Sequence, residues 1–359
     1  MTNLMAASRE LFKREDDEIF ETVDSYYDFL KRRAERSVSI DRNLSETKFS
    51  FDESGKPILT NTNGQKVLLT DWSMRQLSSE LDIPFQYINR CPSDLAEDNI
   101  NYFLERRVRA TDTLYLEKDP TNVPIVRAIT SNQYARIFDY EVAGHLLDLG
   151  DNWKIPLTWD KDPRGLYAGD RDMFAFMIDG GSFVDEKNVD GAIHRGFFMR
   201  NSEVKNGSFS IQTFLHRGVC GNHIVWNASN IRLSRVIHKG DDARTNAFRE
   251  LNEFLTVFAA TDMKEEAVKI QKAKTLSLGK TEEEVVSSVR KAVTNNLIGK
   301  KTITAAYNEA AMNFSTDGDP RTAWGFVNGL TRLSQKNANA DTRMKMDRAS
   351  GIILDKVLS

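Results

Sequence analysis

Between Gly191 and Trp226 the chain reads GAIHRGFFMRNSEVKNGSFSIQTFLHRGVCGNHIVW, and its residue types point to anion chemistry. Arg195, Arg200, Lys205 and Arg217 alternate there with Phe197, Phe198, Phe209 and Phe214. Repeated positive charge along a surface is what a phosphate backbone requires, and flat aromatic faces are what unpaired bases stack on. Arg232, Arg235, Lys239 and Arg244 carry the charge past Trp226. From Lys187 to Glu250, ten Lys and Arg stand against five Asp and Glu, a local excess inside a chain of net charge −3. Binding depends on such a stripe rather than on the average. Within the stretch, Arg200-Asn201-Ser202-Glu203 admits two readings. Arg200, Asn201 and Ser202 can grip a phosphate, or the four residues form a self-satisfied turn network in which Glu203 orients Arg200 or Arg217.

Other chemistries find less footing. The chain has no G-x-x-x-x-G-K-[ST] cradle, no G-x-S-x-G elbow, no H-E-x-x-H pair and no C-x-x-C pair. His194, His216, His223 and His238 fall in one region, but their spacing matches no usual ligand pattern. The pairs Asp160/Asp162 and Asp170/Asp172 sit in turn-rich sequence, where carboxylates ordinarily bond their own backbone. No catalytic residue, metal or cofactor is expected. Cys91 and Cys220 are too few for a disulfide framework, the N-terminus lacks a secretory pattern, and no apolar run has the length of a membrane span. A cytoplasmic protein without a membrane partner is the expectation.

The elements that must hold the basic stripe can be read from periodicity. Leu11, Ile19, Phe20, Val23, Tyr27 and Leu30 have helical spacing, predicting a helix over 8–36. KFSFDESGKPILTNTNGQKVLLT reads as short strands around Gly-Lys-Pro and Asn-Gly turns. A helix–Pro–helix unit follows, with Asp71 or Ser73 as cap and Met74, Leu77, Leu81, Phe85, Tyr87 and Ile88 as inner face. It superficially resembles a helix-turn-helix, and a packing module is the expected role. TLYLEKD and VPIVRAITS read as strands, and SNQYARIFDYEVAGHLLDLG as a five-turn helix capped by Ser131 and stopped by Gly150. Turns at Gly165, Gly180-Gly181 and Asn206-Gly207 then separate strands without intervening helices, which implies an antiparallel sheet. Alternation puts His194, Gly196, Phe198 and Arg200 on one face and Arg195, Phe197 and Met199 on the other. From Asp241 onward the pattern is helical, and Ala306, Tyr307, Ala310, Trp324, Phe326 and Leu330 serve either as helix packing or as an assembly surface.

The expected fold class is therefore α+β: an antiparallel curved sheet packed on a central helix, with a helical N-terminal segment and a helical C-terminal third. Three regions are expected: 1–110, mostly helical with short strands; 111–240, the sheet and helix core; and 241–359, helical. The central helix covers one face of the sheet and leaves the other available.

GFFMRNSEVKNGSFSIQTFLHRGVCGNHIVW, the preceding AITSNQYARIFDYEVAGHLLDLG and the late TAWGFVNGLTRLSQ resemble the phage- and plasmid-borne proteins grouped as a domain of unknown function. The N-S-E-V element followed by R-x-V-C-x-N carries most of that likeness, which implies a mobile genetic element as source and the host cytoplasm as workplace. The order of elements also resembles the single-strand annealing recombinases of the Red-beta superfamily, a likeness of architecture alone. It implies a homo-oligomer, ring-shaped, with single-stranded DNA or RNA in a groove. The residues expected to line it are Arg127, Arg195, Arg200, Asn201, Lys205, Arg217, Arg232, Arg235 and Lys239. Two rival classes stand beside this reading: a metal-dependent nucleotide- or phosphodiester-processing enzyme, and a structural or host-defence-interacting protein.

Overall fold

The computed structural model describes residues 16–107, 112–118, 123–157, 162–185, 193–217, 222–224, 234–240, 242–260, 264–293, 297–337 and 339–358. Two sheets and a helical third make up this part of the chain, an α+β architecture with one strongly curled sheet. The curled sheet runs β1 (Glu18–Phe20), β9 (Leu166–Ala168), β10 (Met173–Asp185), β11 (Ile193–Asn201), β12 (Phe209–Arg217) and β13 (Asn222–Ile224). To it, β8 (Trp153–Lys154) adds beside β10 and β14 (Ser234–Val236) beside β12. All its pairings are antiparallel.

The second sheet has the order β2 (Ser37–Arg42), β6 (Asp112–Glu117), β7 (Ile125–Ser131), β5 (Lys66–Leu69), β4 (Pro57–Asn61) and β3 (Thr47–Phe51), with β5 and β7 parallel. It draws strands from both sides of residue 110. The two expected turns between β3 and β5 are present, and Gly55 (φ 80°) and Gly64 (φ 77°) adopt the left-handed conformation there. Helices α2 (Asp71–Glu80), α3 (Phe85–Ile88) and α4 (Ser93–Glu105) cover this sheet. Thr70, rather than Asp71 or Ser73, caps α2, in a reciprocal box with Ser73. Met74, Leu77, Leu81 and Ile88 are buried as the spacing predicts, whereas Tyr87 is exposed.

Two helix assignments differ from expectation. The N-terminal helix α1 is Val23–Glu35, capped by Thr22, because Glu18–Phe20 pairs with β9 instead. The five-turn helix from Ser131 is not formed: β7 runs to Ser131, and α5 covers only Asp139–Leu147. The intervening backbone is claimed by tertiary partners. Ala135 N donates to the His238 carbonyl, and the Ile137 carbonyl accepts from Asn201 Nδ2.

Alternation along β11 holds. Phe197 and Met199 face α1, α5 and α6 (Ala243–Ala260), while Phe198 faces the other way. That second face is not open, as expected, but covered. Tyr167, Phe174, Phe176, Phe198 and Phe214 pack there against Ala340 and Met344 of α12 (Ala340–Leu358). The C-terminal third adds α7 (Lys264–Thr275), α8 (Glu282–Ala292), α9 (Lys300–Met312), α10 (Phe314–Asp317) and α11 (Ala323–Ser334) around one core that also takes in Ile193 and Leu215. Ala306, Ala310, Trp324, Phe326 and Leu330 are buried in it, so their role is helix packing. Gly329 permits a close approach of α11 to α9, since a Cβ there would lie 2.3 Å from the Ala306 carbonyl oxygen. Among the described residues no helix is long and apolar enough to cross a membrane.

Candidate nucleic-acid interface

Where β11 ends, Asn201-Ser202-Glu203-Val204 turns inward and ties the two sheets together. Glu203 is buried, and its carboxylate accepts from Arg127 Nη1 (2.8 Å), the Tyr115 hydroxyl (3.2 Å) and the Asp139 amide (2.9 Å). Arg136 donates to its carbonyl. Asn201 Nδ2 bridges the Ile137 carbonyl and Asp139, both at 2.8 Å, and Arg33 reaches Asp139 at 3.1 Å. The Val204 side chain packs against Tyr115 and Ala128, and its carbonyl accepts from Trp72 Nε1 (2.7 Å) and Gln76 Nε2 (2.8 Å). Of the two readings of this element, the self-satisfied network is the one formed. Its partners differ from those expected: Glu203 orients Arg127, not Arg200 or Arg217.

The buried charges sort themselves. Burial raises Asp139 to about 7, and the Glu203 charge adds to this. Burial pushes Glu203 up as well, but Arg127, Arg33 and the Asp139 amide outweigh it and hold it below its ordinary value. One of the two acids thus keeps a charge matched by arginine, while the other titrates near neutrality.

The outer side of the same corner carries two clefts. The first, of about 550 Å³, lies between the second face of the curled sheet and α12. Phe174, Phe198, Ser210 and Gln212 line the sheet wall, with Arg200 above them, and Lys345, Arg348, Met344 and Asp341 line the α12 wall. Arg200 bonds Asp172 at 3.0 Å and lies across the loop at Gly207, where a Cβ would meet its guanidinium carbon at 2.9 Å. The second cleft, of about 430 Å³, is lined by Ser131, Tyr134, Lys205, Ile237, His238 and Lys239, among others. Asn206, Gly207 and Ser208 form a wall common to both clefts.

The residues expected to bind nucleic acid divide accordingly. Arg200, Lys205 and Lys239 line the clefts. Arg127, Arg195, Asn201 and Arg217 are turned inward. Arg195 bonds Asp179 (3.0 Å) and the Phe258 carbonyl (3.1 Å), and Arg217, 1% exposed, bonds the Thr316 carbonyl (2.6 Å) beside Asp317. Arg235 is described only through its backbone, in register with Ser210, and Arg232 lies outside the described residues. The stacking surface expected of Phe197, Phe198, Phe209 and Phe214 is closed, each being at most 1% exposed. Lys345 and Arg348 were not anticipated. Their only sequence signal is a three-residue spacing on the exposed side of a helix whose buried side includes Met344 and Asp347.

His216 and His238 are buried rings held toward the neutral form. Burial lowers His216 to about 3, helped by His194, and lowers His238 to about 4, helped by Arg136. Among the described residues no three His, Cys, Asp or Glu side chains converge to hold a metal ion.

No curated protein and no solved structure matches the chain. A family model, DUF932, described as a domain of unknown function, matches residues 130–352, which take in both clefts and the inward-turning corner. With well over half of its length matched, the chain belongs to that family.

Proposed function

We propose that the chain binds single-stranded nucleic acid, DNA or RNA, through the phosphate backbone along the two joined clefts. In this reading it is a protein of phage or plasmid type that works in the host cytoplasm and anneals strands as a homo-oligomer. The observation that carries it is the run of cations Arg200, Lys345, Arg348, Lys205 and Lys239 around one shared loop, against Asp341 as the only carboxylate residue lining either cleft among the described residues. With the four expected aromatics buried, the contacts available are to phosphate and sugar, so affinity depends little on base identity. The cleft between the sheet and α12 is walled on both sides by protein, which favours an unpaired strand over a duplex.

Polarisation of a labelled oligothymidylate over a salt series tests this. Five engaged cations predict a slope of log K against log salt of roughly −3.5. Replacing Lys345 and Arg348 together by glutamine is expected to flatten the slope by about one and to weaken binding about tenfold at low salt, with unchanged melting temperature. Absence of binding at low salt, or binding indifferent to the double substitution, overturns the reading. Mass measurement in solution, with and without strand, tests the homo-oligomer.

A further inference from the structure

The second cleft has features that a passive stretch of backbone groove does not need. Apart from Asp82, Lys205 is the only non-glycine residue with positive φ among the described residues (φ 66°), a conformation that favours glycine or asparagine. Conformations of this kind persist where the surroundings enforce them, and they cluster at ligand sites. Here Tyr134 enforces it: its hydroxyl accepts from the Lys205 amide at 3.2 Å and donates to the Ser202 carbonyl at 2.8 Å. Asn206 N, bonded to Ser202 Oγ at 3.0 Å, fixes the next residue. The outcome is an exposed lysine whose backbone is fixed on the cleft that Lys239 also lines.

Among the described residues, none lining this cleft carries a carboxylate. Of the acids at this corner, Glu203 is committed to Arg127 and Asp172 to Arg200 and Asn206. Lys205 and Lys239 make no ion pair among the described residues. Ser131 and Ser208 add hydroxyls to the lining. Ile237, 66% exposed, offers an apolar edge, and the buried His238 ring leaves Nε2 without a hydrogen bond. Two cations and hydroxyls beside an apolar edge, in about 430 Å³, match a dianionic phosphate on a sugar or base in charge and size.

We propose that this cleft is a binding site for a phosphate monoester, the chemistry shared by a nucleoside monophosphate and the phosphorylated end of a strand. Lys205 and Lys239 hold the phosphate, and Ile237 packs on the group that bears it. The site stands whether or not the neighbouring cleft holds a strand.

Calorimetric titration of the full chain with AMP and with adenosine at low salt is the test. AMP is expected to bind and adenosine at least tenfold more weakly. Lys205→Gly relieves the backbone, so its melting temperature should equal or exceed that of the parent, yet its affinity for AMP should fall at least tenfold. Lys239→Gln should lose a similar factor. Equal binding of AMP and adenosine, no binding of AMP, or AMP binding untouched by both substitutions overturns the site. Oligothymidylate with and without a 5′-phosphate separates the two sources. A phosphate-dependent gain that Lys205→Gly abolishes assigns the site to strand ends. AMP binding without that gain, or with no strand binding at all, assigns it to free nucleotide while the groove reading fails or stands on its own test.

Discussion

Asp172 lies beneath the first cleft with its side chain fully buried, bonded to Arg200 and Asn206. Burial raises its carboxyl to about 6, with Arg200 pulling it back down and Asp341 adding to the rise. In an unfolded chain an aspartate titrates near ~3.9. Between those values the folded state holds a proton that the unfolded state lacks. Its contribution to stability is thus complete below the unfolded value and is lost as pH rises through about 6. The same proton governs the charge presented to a strand, because protonation leaves Arg200 uncompensated. Affinity for oligothymidylate is therefore expected to rise several-fold as pH falls from about 7.5 to 5.5. Asp172→Asn should remove most of that dependence and bind at the higher pH as tightly as the parent does at the lower. His216 and His238, lowered to about 3 and 4, stay neutral over this range. Polarisation at matched ionic strength checks this, and an affinity indifferent to pH would remove Arg200 from the groove. That the stretch around Arg200, Lys205 and Lys239 is rich in cations was legible in the sequence, but which of the nine candidate residues reach a cleft was not. The inward fate of Arg127, Arg195 and Arg217 was not, because their carboxylate partners lie far off in the chain or on another element.

At the scale of elements, packing decides what periodicity leaves open. Strand alternation correctly divides β11 into a Phe197/Met199 face and a Phe198/Arg200 face, since the pleat leaves no other arrangement. Gly196 shows how tightly this strand is held. A Cβ there would lie 2.6 Å from the Met177 carbonyl oxygen and 2.6 Å from the Phe214 ring. Gly196→Ala is expected to cost about 1–3 kcal/mol of stability through overpacking. Gly150, which has nothing within 4 Å of such an atom, should tolerate alanine within about 0.5 kcal/mol. Urea denaturation of the two variants checks the contrast, and equal costs would contradict it. The helix predicted from Ser131 failed for a related reason. Its residues carry helical spacing, but β7 and the corner after β11 offer the same backbone groups better-placed partners.

The whole molecule rests on the join between its two sheets. Each has its own core, and the corner Asn201–Val204 supplies the buried ion pair, the Asp139 bridge and the Val204 contacts between them. Removing one partner of a buried pair leaves an uncompensated charge, at a cost of about 3–5 kcal/mol. Glu203→Gln is therefore expected to lower stability by roughly that amount and to split thermal unfolding into two transitions, with the N-terminal sheet melting first. Calorimetry of parent and variant decides this, and one undivided, unshifted transition would show that the sheets are held by other means. The family match spans the curled sheet apart from β1 and most of the helical third, but only the last two residues of β7 in the other sheet, in keeping with a join between two cores.

The turn expected at Gly180-Gly181 is not formed, because both glycines lie within β10, where the register with β11 is irregular. From the sequence alone came the α+β class, the turns at Gly55, Gly64 and Asn206-Gly207, the two faces of β11 and the basic excess between Lys187 and Glu250. All of these follow from local rules: side-chain period, turn conformers and charge spacing. Tertiary structure alone decided that Glu203 meets Arg127, 76 residues earlier in the chain. It also decided that the aromatics of the basic stretch are core, and that α12 brings Lys345 and Arg348 opposite Arg200. Such pairings depend on how separate elements dock, and docking is set by whole faces and their buried charges rather than by any one stretch of residues.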